Sequence, residues 1–214
     1  MAKRVQRLRE TSRVEGFSDA VFAISATLLV LDLGIPEQGH FLTGVLADWP
    51  GLVAYVAAFL TIASIWLHHH NFFSRIRAID SQVVAANLLL LFGVAIQPWP
   101  TALLAASLGG GNRGDELVAV TVYTLTSVVV SIAWLILAWS LSQRPSLLIA
   151  PADLEWMRGN FRRVAISSGV VVLAIPLGLL SPYLSLVLFV AIPAVFLFTS
   201  TRPTELVQDS DLEG

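Results

Sequence analysis

The 214-residue sequence contains no cysteine, which excludes disulfides and thiolate metal sites and leaves the redox compartment unreadable. Charge is scarce: Asp, Glu, Lys and Arg make up 13% of the chain, against roughly 25% in an ordinary soluble domain. Apolar residues reach 56% and the mean hydropathy is +0.75. A buried core cannot absorb that excess, so apolar surface has to face lipid. The net charge of −2 gives no global electrostatic reason to expect nucleic acid. Several channel and nucleotide signatures are also missing. There is no Thr-Val-Gly-Tyr-Gly-like carbonyl filter and no arginine ladder of a voltage sensor. The Gly109-Gly110-Gly111 cluster lacks the Lys-Ser/Thr of a P-loop. No nucleophile, base and orienting group can be assembled from the apolar segments, so the sequence reads as no enzyme and calls for no cofactor.

What is present is a series of long apolar runs. A bilayer span needs about 20 mostly apolar residues. Six segments qualify: Val14–Leu33, Gly51–Leu67, Gln82–Leu108, Leu117–Leu141, Phe161–Leu180 and Tyr183–Thr199. The breaks between them carry turn chemistry, including Gly34-Ile35-Pro36, Arg144-Pro145 and Ser181-Pro182. The last break is short enough to require a tight antiparallel hairpin. Pro98-Trp99-Pro100, Pro176 and Pro193 lie within spans and are expected to kink them. The expected fold class is therefore an all-α membrane protein of six transmembrane helices. Its expected parts are a basic N-terminus over 1–13, a six-span region over 14–199 and a disordered acidic tail over 200–214. The basic start and first apolar run resemble a signal peptide, but the run is too long and Asp19 interrupts it; it reads as a retained span.

Twelve of the 13 basic residues fall on one side of this arrangement. They are Lys3, Arg4, Arg7, Arg9 and Arg13, then Arg75 and Arg77, then Arg144, Arg158, Arg162 and Arg163, and finally Arg202. Arg113 stands alone on the other side. The basic side is cytoplasmic by the positive-inside rule, which places both termini there. Residues 142–160 read as the longest cytoplasmic loop, and Trp49, Trp66 and Trp139 read as interfacial anchors.

Span one holds the main anomaly. A carboxylate near a span centre costs roughly 2.5–3.5 kcal/mol on insertion scales, less toward the interface. Asp19 therefore needs protein or water around it. Two readings stay open: a snorkelling interfacial pair with Arg13, or a polar latch holding span one against its neighbours. Further along, Ile24, Thr27, Leu28 and Leu31 recur at helical spacing and form one stripe, which Ala20 continues toward the cytoplasm. Such a stripe can face lipid, pack on a helix or line a pore. At the end of span two, His68, His69 and His70 point in different directions, so they cannot share one metal. A histidine here is better placed to hydrogen-bond a polar group such as Asp19, with Asn87 of span three at similar depth.

The segment Arg13-Val14-Glu15-Gly16-Phe17-Ser18-Asp19 reads R-x-x-x-F-S-D at the start of the first span. It resembles the signature of the transmembrane protein 175 family of potassium-permeable channels. Trp66, His69 and Phe73 match W-x-x-H-x-x-x-F, and Asn87 followed by Pro98 agrees as well. The specific motifs lie in the first hundred residues, while the layout of spans agrees throughout. The resemblance implies a homotetramer of single-repeat chains in which span one lines a central pore without a carbonyl filter. On that reading Ile24, Leu28 and Leu31 form a hydrophobic constriction, with the Thr27 hydroxyl between them. Arg13, Phe17, Ser18, Asp19, His69 and Asn87 would form the network at the cytoplasmic mouth. Asp32, Glu37 and Asp48 lie on the outer side and would attract cations. The partners implied are membrane lipid, potassium and other monovalent cations. The location implied is a bacterial inner membrane. The competing readings are a proton-coupled transporter or proton leak using Asp19 and a span-two histidine, and a non-conducting scaffold or an enzyme working at the bilayer surface.

Overall fold

A computed structural model describes residues 11–200 apart from 109 and 111. The expected basic stretch up to residue 10 and the acidic tail from residue 201 lie outside the described residues, as do Gly109 and Gly111.

The first apolar run forms α1 (Ser12–Leu28), which tightens into a 3-10 turn over Leu29–Asp32. A short helix, α2 (Phe41–Ala47), precedes α3 (Trp49–Phe73). Next come α4 (Ser81–Ala95), α5 (Pro98–Leu108) and α6 (Arg113–Ser142). The chain closes with α7 (Asp153–Val172), α8 (Ala174–Leu180) and α9 (Pro182–Ser200). Five helical segments among the described residues are long and apolar enough to cross a membrane: Ser12–Asp32, Trp49–Phe73, Ser81–Leu108, Arg113–Ser142 and Asp153–Leu180. Tyr183–Val195 adds a shorter apolar helix, giving the all-helical, six-segment layout.

Proline sets two of the internal breaks. Pro98 and Pro100 start α5 after α4 has ended at Ala95. Pro176 has no N–H for the Val172 carbonyl, and the helix breaks at Leu173. At Pro193, by contrast, α9 continues through the residue. The expectation of a cytoplasmic loop over 142–160 needs correction, because α7 already begins at Asp153. Its charged first turns are amphipathic, with Met157, Asn160 and Val164 buried on one side, so the charges on the other side stay in water.

The long α6 sits at the centre and packs against α4, α5, α7 and α8, while α1 packs on α3 and α4. Close approach of α4 to α6 requires glycine: a Cβ on Gly93 would lie 2.6 Å from Cγ2 of Val130. On the side that the sequence reads as cytoplasmic, two loops are stapled together. Ile76 and Leu148 form an antiparallel bridge. Arg77 N–H donates to Leu147 O and Ile149 N–H to Arg75 O, both at 3.0 Å. Asp80 caps α4 by accepting from Gln82 N and Val83 N at 2.9 and 3.0 Å, and it also pairs with Arg144. Arg75 reaches Asp153 at 3.1 Å and lies 4.4 Å over the Trp156 ring. At the opposite end Arg113 pairs with Glu116 at 3.1 Å and donates to the carbonyls of Gly178 and Leu179, closing the end of α8.

Candidate functional site

Helix α1 has two faces of different chemistry. Ser18, Phe22, Ser25 and Leu29 turn inward, and all are buried. Ser18 and Ser25 return their hydroxyl protons to their own helix, to Val14 O at 2.7 Å and Val21 O at 2.8 Å. This satisfies each group where lipid and apolar side chains offer no partner. Phe22 and Leu29 pack with Ala58 and Ile62 of α3 and with Leu91 and Val94 of α4.

The polar contacts cluster at the end of α1 nearest Ser12. Asn87 of α4 donates its Nδ2–H to the Ser18 hydroxyl at 3.0 Å. Its Oδ1 stands 2.9 Å from Nε2 of His69. Because the Asn87 amide nitrogen is committed to Ser18, its oxygen is the acceptor, so His69 carries the proton on Nε2. All three residues are buried. The His69 ring is further fixed by stacking on Phe73 at 4.2 Å and by the edge of Phe22 at 5.4 Å. One asparagine therefore joins α1, α3 and α4.

Asp19 takes a different partner. Its Oδ1 accepts from Nε1 of Trp66 at 2.9 Å on the exposed side of α1. The Trp66 ring lies against His70, 6.0 Å between centroids. Thus Ser18, Asn87 and His69 come together as expected, whereas the expected bond between Asp19 and a histidine is not made. Trp66, read from the sequence as an interfacial anchor, is the residue that holds the carboxylate. An indole N–H that meets protein needs an acceptor, but Asp19 lies 47 residues away in the chain and nothing local names it as that acceptor. Arg13 is exposed and has no ion-pair partner among the described residues, and Phe17 faces outward, so neither joins this network. The three histidines diverge: His68 meets the edge of Trp134 at 4.4 Å, His69 meets Asn87, and His70 is exposed.

The outer face of α1 carries the stripe. Ile24 is 58% exposed, Leu28 42% and Leu31 74%, against 2% for Phe22 and 1% for Leu29. Ala20 and Thr27 are exposed on the same side, and Thr27 Oγ1 donates to Ile24 O at 2.9 Å. The register of the stripe differs from that of a continuous α-helix. Leu31 falls in the 3-10 turn, where three residues complete one revolution, so it stacks almost directly above Leu28. Of the outer acids, Asp32 ends this turn and Glu37 follows in an irregular segment, both exposed. Asp48 is half-buried beside the first turn of α3, where a Cβ on Gly51 would meet its carboxylate at 2.6 Å.

Known proteins are similar to this chain in sequence and fold. The family model for the endosomal/lysosomal potassium channel TMEM175 matches residues 13–98, which hold α1, the network and the stripe. A potassium channel of Streptomyces collinus is 37% identical over 182 residues, covering 84% of this chain and 87% of that protein. The human endosomal/lysosomal proton channel TMEM175 is 31% identical over 137 residues, covering 57% of this chain and 27% of that longer protein. Among solved structures, a lysosomal potassium-selective channel TMEM175 homolog from Chamaesiphon minutus superposes with a TM-score of 0.78 at 28% identity, covering 90% of this chain and 98% of that one. The family-model match, the Streptomyces channel's identity over most of both chains and the Chamaesiphon superposition together place the chain in the TMEM175 channel family.

Proposed function

We propose that the chain is a potassium-permeable cation channel, a homotetramer whose α1 helices surround a central pore in a bacterial inner membrane, with both termini cytoplasmic. The observation that carries this reading is the division of α1. One face is tied to α3 and α4 by Ser18, Asn87 and His69, and the Asp19–Trp66 bond braces α1 on α3 from the exposed side, so the other face has a fixed direction and presents Ile24, Leu28 and Leu31 outward. The names of the Streptomyces and Chamaesiphon relatives supply the ion.

Conduction is then passive. Rings of four isoleucines and leucines exclude water when narrow, and a dewetted stretch blocks ions without a plug. A small outward rotation of α1 rewets it. Thr27 has spent its proton on the Ile24 carbonyl, so its oxygen lone pairs are available to a passing cation. Asp32 and Glu37 raise the local cation concentration at the outer mouth, an effect that salt weakens. Arg113 opposes this little, since Glu116 and two carbonyls already hold it. Reconstitution in liposomes tests the reading. The wild-type protein passes potassium down its gradient, and Ile24→Asn increases the flux or loosens selectivity over sodium. Intact tetramers with no potassium flux would overturn it.

A second reading, proton leak, is favoured by the name of the human relative and by the exposure of Asp19 on the outer face of α1. A direct relay from Asp19 to His69 has no support, since the two side chains bond to Trp66 and Asn87 respectively. Acidification of liposomes under a pH gradient with no potassium present separates proton flux from potassium flux.

A further inference from the structure

A cavity of about 120 Å3 lies between α3, α6, α7 and α9, with Gln97 entering from the break between α4 and α5. No residue of α1 lines it, so it is separate from the face described above. Its size is far above the roughly 10–15 Å3 that one water needs and close to the ~150 Å3 of an engineered apolar cavity that admits benzene. One small molecule fits.

The lining fixes the chemistry of that molecule. No Asp, Glu, Lys or Arg faces the cavity, and an ion without a counter-charge is costly there. The occupant is therefore neutral. Gln97 and Tyr123 are each only 2% exposed. The Gln97 side chain and the Tyr123 hydroxyl face each other, with Thr61 also beside the hydroxyl, but neither Gln97 Nε2 nor the hydroxyl makes a well-formed hydrogen bond. Thr61 and Ser127 donate to Ala57 O and Tyr123 O at 2.8 and 3.0 Å, which leaves their oxygens as acceptors. A hydroxyl placed here accepts from Gln97 and donates to one of these oxygens. The rest of the wall adds the polar side chains of Ser64, His68, Ser131 and Ser167 to a surface that is otherwise apolar, with Val164, Leu188 and Ile192 among its residues. A few convergent polar groups at one part of an apolar pocket are the usual make-up of a small-molecule site.

The route in is lateral. Helices α7 and α9 meet only sparsely, and Val171 and Ile192, which line the cavity, sit half-buried on the two sides of that seam. Val172, Leu173 and Val195 beside it are exposed apolar residues. A solute dissolved among acyl chains reaches the cavity without crossing water. We infer that the cavity is a binding site for one small neutral amphiphile, about the size of a single ring or short alkyl chain and bearing a hydroxyl. Ile65 lines this cavity and also packs in the cluster that holds α1, so occupancy bears on the position of α1. That consequence rests on the conduction reading, whereas binding itself does not.

The test is photolabelling of the intact protein in nanodiscs with a short aliphatic alcohol bearing a diazirine, read by mass spectrometry. Adducts are expected on Val164 and Ile192, suppressed by excess phenol and absent in Ser127→Phe, which fills the space. Gln97→Leu keeps the volume but removes the donor, and phenol competition should weaken about tenfold, the value of one hydrogen bond. Labelling spread evenly over outward-facing residues such as Leu125 and Ile132, and indifferent to phenol and to both variants, would overturn the site. A cavity holding only water gives that second result.

Discussion

Asn87 reaches Ser18 across the α1–α4 interface at 3.0 Å while its carbonyl oxygen receives the His69 ring at 2.9 Å. The two halves of one amide thus hold two neighbouring helices. Asn87→Leu keeps the volume and leaves His69 Nε2–H buried without an acceptor. Interhelical hydrogen bonds in membranes average about 0.6 kcal/mol, while an unsatisfied buried partner adds roughly 1–3 kcal/mol. A loss of about 1–2 kcal/mol is expected on those values, measured by reversible unfolding in mixed micelles. Ser18→Ala, which removes the hydroxyl but leaves His69 paired, should cost less.

Trp66→Phe separates the Asp19 contact from the rest of the network. The ring volume is largely kept and the donor to Asp19 is lost. Because both residues sit on the exposed side, stability should fall by less than about 1 kcal/mol. Potassium flux in liposomes should change more than stability does, and the reverse is expected for Asn87→Leu. Equal effects on both measurements in both variants would mean that Trp66 does no more than pack.

Gly93→Val places a side chain where Val130 already is, since a Cβ alone would stand 2.6 Å from the Val130 methyl. Overpacking of this kind costs typically about 1–3 kcal/mol. Val130→Ala should relieve most of it. A double-mutant cycle on unfolding free energy checks the coupling; additivity would show that α4 and α6 can separate at no cost.

Arg144→Gln removes the partner of a carboxylate that is only 1% exposed, that of Asp80. Leaving a buried charge uncompensated costs up to about 3–5 kcal/mol. Arg144 is itself 30% exposed and Asp80 keeps its two cap bonds, so about 1–3 kcal/mol is the expected range after that discount. Adding Asp80→Asn, which retains a capping side chain, should recover part of the loss.

The sequence disclosed what depends on periodicity and composition. Its long apolar runs, prolines and Ile24–Leu28–Leu31 stripe are visible without coordinates, but the direction the stripe faces is not. Asp19, Asn87 and a span-two histidine could be grouped by depth along their spans, because polar atoms in lipid must find each other, whereas Ser18 and the choice of His69 come from the family resemblance. What stayed hidden depends on rotation and on pairs far apart in the chain. Trp66 and Asp19 are 47 residues apart, and nothing local marks the indole as a donor rather than an anchor. Arg75 and Arg144 could be assigned only to the cytoplasmic side, and their partners Asp153 and Asp80 were not legible. The 3-10 turn at Leu29–Asp32 has no composition signal and rotates Leu31 over Leu28.

The absence of cysteine makes the decisive measurement direct. Single cysteines at Ile24, Thr27, Leu28 and Leu31, on the outward face of α1, are to be compared with cysteines at the outward-facing Leu125 and Ile132 of α6. Potassium flux is recorded before and after a charged methanethiosulfonate reagent. If the α1 face surrounds the ion path, the reagent alters flux at the α1 positions and leaves the α6 positions unchanged. Flux that continues undisturbed at all four α1 positions, with the reagent shown to reach the aqueous mouths, would contradict a pore lined by α1.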